Sequence, residues 1–117
     1  MKTRVLFILI GVLILAGMFL FLKKDPQEKN STLREFVLDV NAGTEEYPTW
    51  QIKEGDPVKV TVNSEIEDEV HLHGYDILKD AKPGEPAVFE FTADKTGRFE
   101  MELEGAQKLI AILEVYP

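Results

Sequence analysis

Between Phe36 and Val115, apolar side chains return at every second position. Phe36, Leu38 and Val40 alternate with Glu35, Val37 and Asp39, and Trp50 and Ile52 with Gln51 and Lys53. Val58, Val60 and Val62 alternate with Lys59, Thr61 and Asn63, and Val70 and Leu72 with His71 and His73. Phe99, Met101 and Leu103 alternate with Glu100, Glu102 and Glu104, and Val88 to Phe91 reads as a further strand. A period of two puts one face of each segment against a core and the other in water. A helix, with its period of about 3.6, cannot sort such a pattern. Turn chemistry separates the segments at Glu54-Gly55-Asp56-Pro57, Lys82-Pro83-Gly84-Glu85-Pro86 and Asp94-Lys95-Thr96-Gly97. The last segment, Leu109 to Val115, also suits a helix by propensity. Its crowded isoleucines and Val115 in an all-β setting predict a strand. Seven strands then predict an all-β sandwich.

The amino-terminal part follows another rule. Val5 to Leu22 is 18 positions of apolar residues and glycine without a charge, against about 20 needed to span a bilayer. A secretory signal has a shorter apolar core and small residues before its cleavage site. Here bulky Phe19-Leu20-Phe21-Leu22 stands at that place. Leu15-Ala16-Gly17 opens like a lipoprotein box, but Met18 stands where the cysteine is required. The expectation is an uncleaved anchor over residues 1–24, a polar linker over 25–32 and one domain over 33–117, with a cleaved signal as the alternative. Lys2 and Arg4 are nearly balanced by Lys23 and Lys24 across the run. A very short amino-terminal tail ordinarily stays in the cytoplasm, which predicts a single-pass membrane protein with its domain outside.

Charge and cysteine content narrow the function classes. The chain carries −8, and setting aside Lys2 and Arg4 leaves −10 on the rest. Such a domain repels phosphate backbones, so no nucleic-acid partner is expected. The chain has no cysteine, which excludes disulfides, thiolate catalysis and thiolate-ligated metals. No nucleophile elbow surrounds Ser31 or Ser64, no glycine loop cradles a phosphate, and no carboxylate pair stands out as an acid–base couple. The expectation is that the chain is not an enzyme. Trp50 and Tyr75 read as aromatics of the core or its rim.

Read in order, the segments resemble a cupredoxin, the Greek-key sandwich of plastocyanin and of the copper domain of cytochrome oxidase subunit II. The resemblance runs from about Glu35 to Val115. It is carried by Ile52-Lys53-Glu54-Gly55-Asp56-Pro57-Val58, by His73-Gly74-Tyr75 and by Phe91-Thr92-Ala93-Asp94-Lys95-Thr96-Gly97-Arg98-Phe99. It implies that His73 stands where such domains carry their first copper histidine. The implied ligand cysteine would fall near Leu103, followed by a histidine and a methionine. The chain has instead Leu103-Glu104-Gly105-Ala106-Gln107-Lys108-Leu109. A blue-copper centre needs a thiolate and two imidazoles, so the resemblance implies the fold without the electron-transfer copper. At the Asp94-x-x-Gly97-x-Phe99 corner, Phe99 lacks the hydroxyl by which a corner tyrosine bonds to backbone, leaving only its packing.

His71 and His73 differ by two and so share a strand face, away from Val70 and Leu72. Both imidazoles can approach one Cu(II), Ni(II) or Zn(II) ion, with an oxygen from Asp68, Glu69 or Asp76. If His73 lies at the loop end, the Glu104–Lys108 segment offers further donors. H-x-H alone is a weak signal, and a pair of surface histidines is the simpler reading. The expected function is therefore an accessory or protein-interaction module contacting another envelope protein, with no cofactor. The alternative is weak copper or zinc binding through His71 and His73.

Overall fold

The computed structural model describes residues 30–117, together with Ile10 and residues 12–14. The anchor expected over 1–24 and the linker expected over 25–32 lie for the most part outside the described residues. Among the described residues no helix is long and apolar enough to cross a membrane.

Eight strands follow one another: β1 (Arg34–Val40), β2 (Thr49–Lys53), β3 (Pro57–Ser64), β4 (Asp68–Leu72), β5 (Ile77–Ala81), β6 (Ala87–Thr92), β7 (Gly97–Leu103) and β8 (Lys108–Tyr116). They form a three-stranded sheet, β1-β3-β6, and a five-stranded sheet, β2-β8-β7-β4-β5. β1 lies parallel to β3 and β2 parallel to β8, while the remaining pairs are antiparallel. The strand between β1 and β3 belongs to the other sheet, so the chain supplies the crossover that a parallel pair requires by passing between layers.

The alternation predicts the inner faces. Leu38, Val40, Val58, Val60, Val62 and Phe89 from one sheet meet Ile52, Val70, Leu72, Met101, Leu103 and Leu113 from the other. Burying each such side chain contributes about 1.5–3 kcal/mol. Phe36 of β1 and Trp50 of β2 stack at 4.4 Å and 14°, joining the two sheets. β8 is a strand, as its isoleucines predict. A bulge between Met101 and Glu102 leaves Ile110 without a partner in β7. Ile110 and Ala111 are consequently buried side by side, and Ile112, outside the core cluster, is buried as well, so this segment shows no clean alternation.

β5 is an eighth strand that the pattern does not predict. It is an edge strand whose residues Leu78, Lys79 and Asp80 are all exposed, so only its backbone pairing with β4 marks it. The Glu54–Pro57 turn also does more than reverse the chain. The buried Asp56 carboxylate accepts hydrogen bonds from Arg34 Nε at 3.0 Å and the Thr32 amide at 3.1 Å, pinning the start of β1. The Arg34 contact first, then the Thr32 amide, hold its carboxyl below the usual carboxylate range.

The hydroxyl missing at Phe99 is supplied by another residue. Tyr75 Oη donates to the Lys95 carbonyl at 3.0 Å and accepts from the Lys95 amide at 3.2 Å. Its ring packs on Phe91 and Phe99 at 4.8 and 4.9 Å. Lys95 Nζ returns to the Gly74 carbonyl at 2.9 Å. Burial pushes the phenol up; the Lys95 amide opposes this, and Asp94 and Glu54 add to it, so the hydroxyl keeps its proton. Tyr75→Phe is expected to lower stability by about 1 kcal/mol through the two lost hydrogen bonds. A fall in the urea midpoint at unchanged slope would register it; an unchanged midpoint would show that the latch contributes nothing.

Candidate metal centre

β4 runs outward from the Asp68 end with Val70 and Leu72 fully buried, which turns His71 to the outer face of the five-stranded sheet. His73 follows the strand and is tied to the neighbouring β7, its amide donating to the Glu100 carbonyl at 2.9 Å. Gly74 then takes φ +85°, and a Cβ there would stand 2.3 Å from the Phe99 ring. Only glycine meets both conditions. The turn after His73 is thereby held against the Tyr75–Phe99 cluster.

β7 supplies the acidic groups. Glu102 pairs with His71 across the antiparallel ladder, and residues opposed in such a ladder share a face. Glu104 begins the β7–β8 turn. Its carboxylate receives His71 Nδ1 at 2.5 Å. His73 Nε2 stands 3.7 Å from Glu104 Oε1 and 3.7 Å from Glu102 Oε2. The two imidazole rings lie 3.9 Å apart at 34°. One donor atom from each of His71, His73 and Glu104 falls within 4.8 Å of the other two. The His73 side chain is 42% exposed as a whole, yet its Nε2 is shielded from solvent and has no hydrogen-bond partner. At 3.7 Å the carboxylates are too far to bond it.

Asp68 is not among these donors. Its carboxylate accepts the amides of Gly105 at 2.7 Å, Ala106 at 2.9 Å and Glu69 at 2.7 Å. Burial alone would raise its pKa. The Gly105, Ala106 and Glu69 amides outweigh burial and hold the carboxyl below the usual range. The Glu104 amide adds a bond to the Glu69 carbonyl at 2.9 Å. Asp68 is therefore a positioning residue: it fastens the β7–β8 turn to β4 and sets Glu104 over His71. Glu69 and Asp76 do not join the His71–His73–Glu104 group. Asp76 sits at φ 54° in the turn beyond Gly74.

Glu102 and Glu104 read in the sequence as part of a solvated face. The signal that would single them out is the partner of β4, because pairing on β7 places a glutamate opposite His71. The turn Glu104-Gly105-Ala106-Gln107 holds no thiolate, imidazole or thioether, so a blue-copper ion does not fit here.

No protein-family profile matches the chain, and no curated protein matches it. Solved structures do. A copper binding protein, determined in solution in its apo form, matches with TM-score 0.59 and 20% identity over 77% of this chain and 93% of that one. The multicopper oxidase mgLAC matches with TM-score 0.60 and 18% identity over 74% of this chain and 39% of the oxidase. A chain of a heme-copper terminal oxidase dimer matches with TM-score 0.56 and 14% identity over 98% of each chain. Identities this low carry the fold alone, and the fold is cupredoxin-like.

Asp68→Asn is expected to cost about 2 kcal/mol near neutral pH, because a carboxylate holding three amides is replaced by a neutral group with a single acceptor oxygen. The folded-state pKa of Asp68 is depressed below its ordinary 3.8. Its stabilisation is therefore complete above that value and is lost as pH falls through the folded value. Urea unfolding of wild type and variant should show a gap that narrows as pH drops below 3.8. A gap independent of pH would assign the loss to packing instead.

Proposed function

We propose that the chain is a membrane-tethered cupredoxin-like domain, held outside the cytoplasm, that binds a divalent transition metal through His71, His73 and Glu104 without forming a blue-copper centre. The observation that carries this reading is the grouping of three donor residues, His71, His73 and Glu104, one of which presents a shielded nitrogen, His73 Nε2, that no hydrogen bond satisfies. A buried polar atom left unpaired costs about 1–3 kcal/mol, which a bound ion would remove. Imidazole and carboxylate donors suit Cu(II), Ni(II) and Zn(II). The domain's negative charge raises the local concentration of cations. The copper proteins that share the fold add weight to copper among these ions. The reading is of metal holding, for buffering or delivery, with no catalytic step. Val5–Leu22 would supply the tether.

A second reading, contact with another envelope protein, draws on the outer face of the three-stranded sheet. There Val37, Thr61 and Val88 stand in register, and Val37 is 68% exposed. The two roles are compatible.

Thermal unfolding of the full chain in detergent, with and without Cu(II) or Zn(II), tests the first reading. Ligand at 100 times its dissociation constant stabilises by about 2.7 kcal/mol, so a clear rise in Tm is expected. The His71→Ala/His73→Ala variant should show none. Equal shifts in both proteins would remove the histidines from any metal role. The copper form should lack the intense colour of a copper–thiolate bond. Fractionation after alkaline carbonate wash tests the tether: the chain should stay with membranes, and a soluble form starting beyond Leu22 would show cleavage.

A further inference from the structure

We infer that Glu102 is a fourth ligand, making a two-histidine, two-carboxylate centre that holds Cu(II) and rejects Cu(I). This rests on the metal-binding reading above and goes further in naming the donor set and the oxidation state.

Three observations carry it. Glu102 Oε2 lies 3.7 Å from His73 Nε2, the same distance as Glu104 Oε1; Glu102 stands outside the 4.8 Å group of His71, His73 and Glu104, so its side chain must swing in to complete the set. Bonds of about 2.0–2.2 Å to one ion leave neighbouring donors roughly 3–4 Å apart, so both carboxylates already stand at ligand spacing from that nitrogen. Second, Glu102 and Glu104 are only 26% and 37% exposed. Among the described residues neither forms an ion pair with a lysine or arginine, whose partners are Asp56, Glu90, Glu85 and Glu114. Two half-buried anions therefore flank a nitrogen that lacks a partner. A divalent ion balances both charges and occupies that nitrogen. Third, His71 Nδ1 and Glu104 Oε1 lie 2.5 Å apart, so two of the donors already face one another. An ion held by both would part them by roughly 0.5–1.5 Å.

The donor set decides the oxidation state. Two imidazoles and two carboxylates are borderline to hard donors and suit tetragonal Cu(II). Cu(I) prefers thiolate and thioether sulfur, and the site contains none. Zn(II) fits the donor types and is expected to bind more weakly than Cu(II), following the usual order of divalent affinities.

The test uses the full chain in detergent, titrated with Cu(II), with Zn(II), and anaerobically with Cu(I). Glu102→Gln keeps the shape and removes the charge; Glu100→Gln removes a charge two residues away on the same face of β7. Cu(II) affinity should fall tenfold or more in Glu102→Gln and stay within about twofold in Glu100→Gln. Electron paramagnetic resonance of the Cu(II) form should show an axial signal with splitting from two nitrogens, altered in Glu102→Gln. Wild-type binding of Cu(II) that survives Glu102→Gln unchanged would overturn the fourth ligand while leaving the histidine site in place. Equal losses in the two glutamine variants would reduce Glu102 to a distant charge. Tighter binding of Cu(I) than Cu(II) would overturn the oxidation-state preference. Failure of the wild type to bind any of the three ions would remove the metal reading and this inference together. Without metal, Glu102→Gln should melt no lower than wild type, which separates lost ligation from lost folding.

Discussion

Val70 against Leu103 and Leu72 against Met101 is the pairing on which the outer face of the five-stranded sheet depends. All four side chains are dry. Sliding β4 by one residue against β7 would turn two of them into water and push histidines into the core. Keeping these side chains buried contributes about 1.5–3 kcal/mol each. The core therefore dictates the register, and the register dictates that His71 meets Glu102. The acidic and imidazole groups come together because the apolar ones must.

The same physics explains what could be read from the chain and what could not. The inner faces of β1, β3, β4 and β7 follow from strict alternation, and His71 and His73 share an outer face by the same parity. β5 escapes because an edge strand with three exposed residues in a row has no buried face to betray it. Ile110 to Leu113 blurs because a bulge puts Ile110 beside Ala111 and because Ile112, outside the core cluster, is buried too. Glu104 lies within the loop segment that the position of His73 suggests. Glu102 and Asp68 do not announce their roles, since both depend on a strand pairing between residues some thirty positions apart. Tyr75 was legible as a rim aromatic, but its bonds to Lys95 depend on where two turns meet.

The departure from the copper-bearing members of the fold is structural as well as chemical. Leu103, near which the ligand cysteine would fall, points inward and is fully buried. His71 and Glu102 lie on the other side of the pleat. A cysteine at 103 would therefore face the core and leave these groups without a thiolate. The short turn that follows is closed on itself, with the Gln107 amide reaching the Glu104 carbonyl at 3.3 Å. A longer ligand loop would have to replace that turn and displace the Asp68 clamp.

That clamp has a kinetic meaning. A hairpin turn between two strand ends is ordinarily among the first parts of a domain to open, at little cost in free energy. Here the amides of Gly105 and Ala106 hang on a carboxylate from the first residue of β4, a neighbouring strand, rather than on the hairpin itself. For the turn to lift, the Asp68 side chain must first let go of it. Motion of the turn is thereby coupled to a side chain of the sheet rather than left to the hairpin alone.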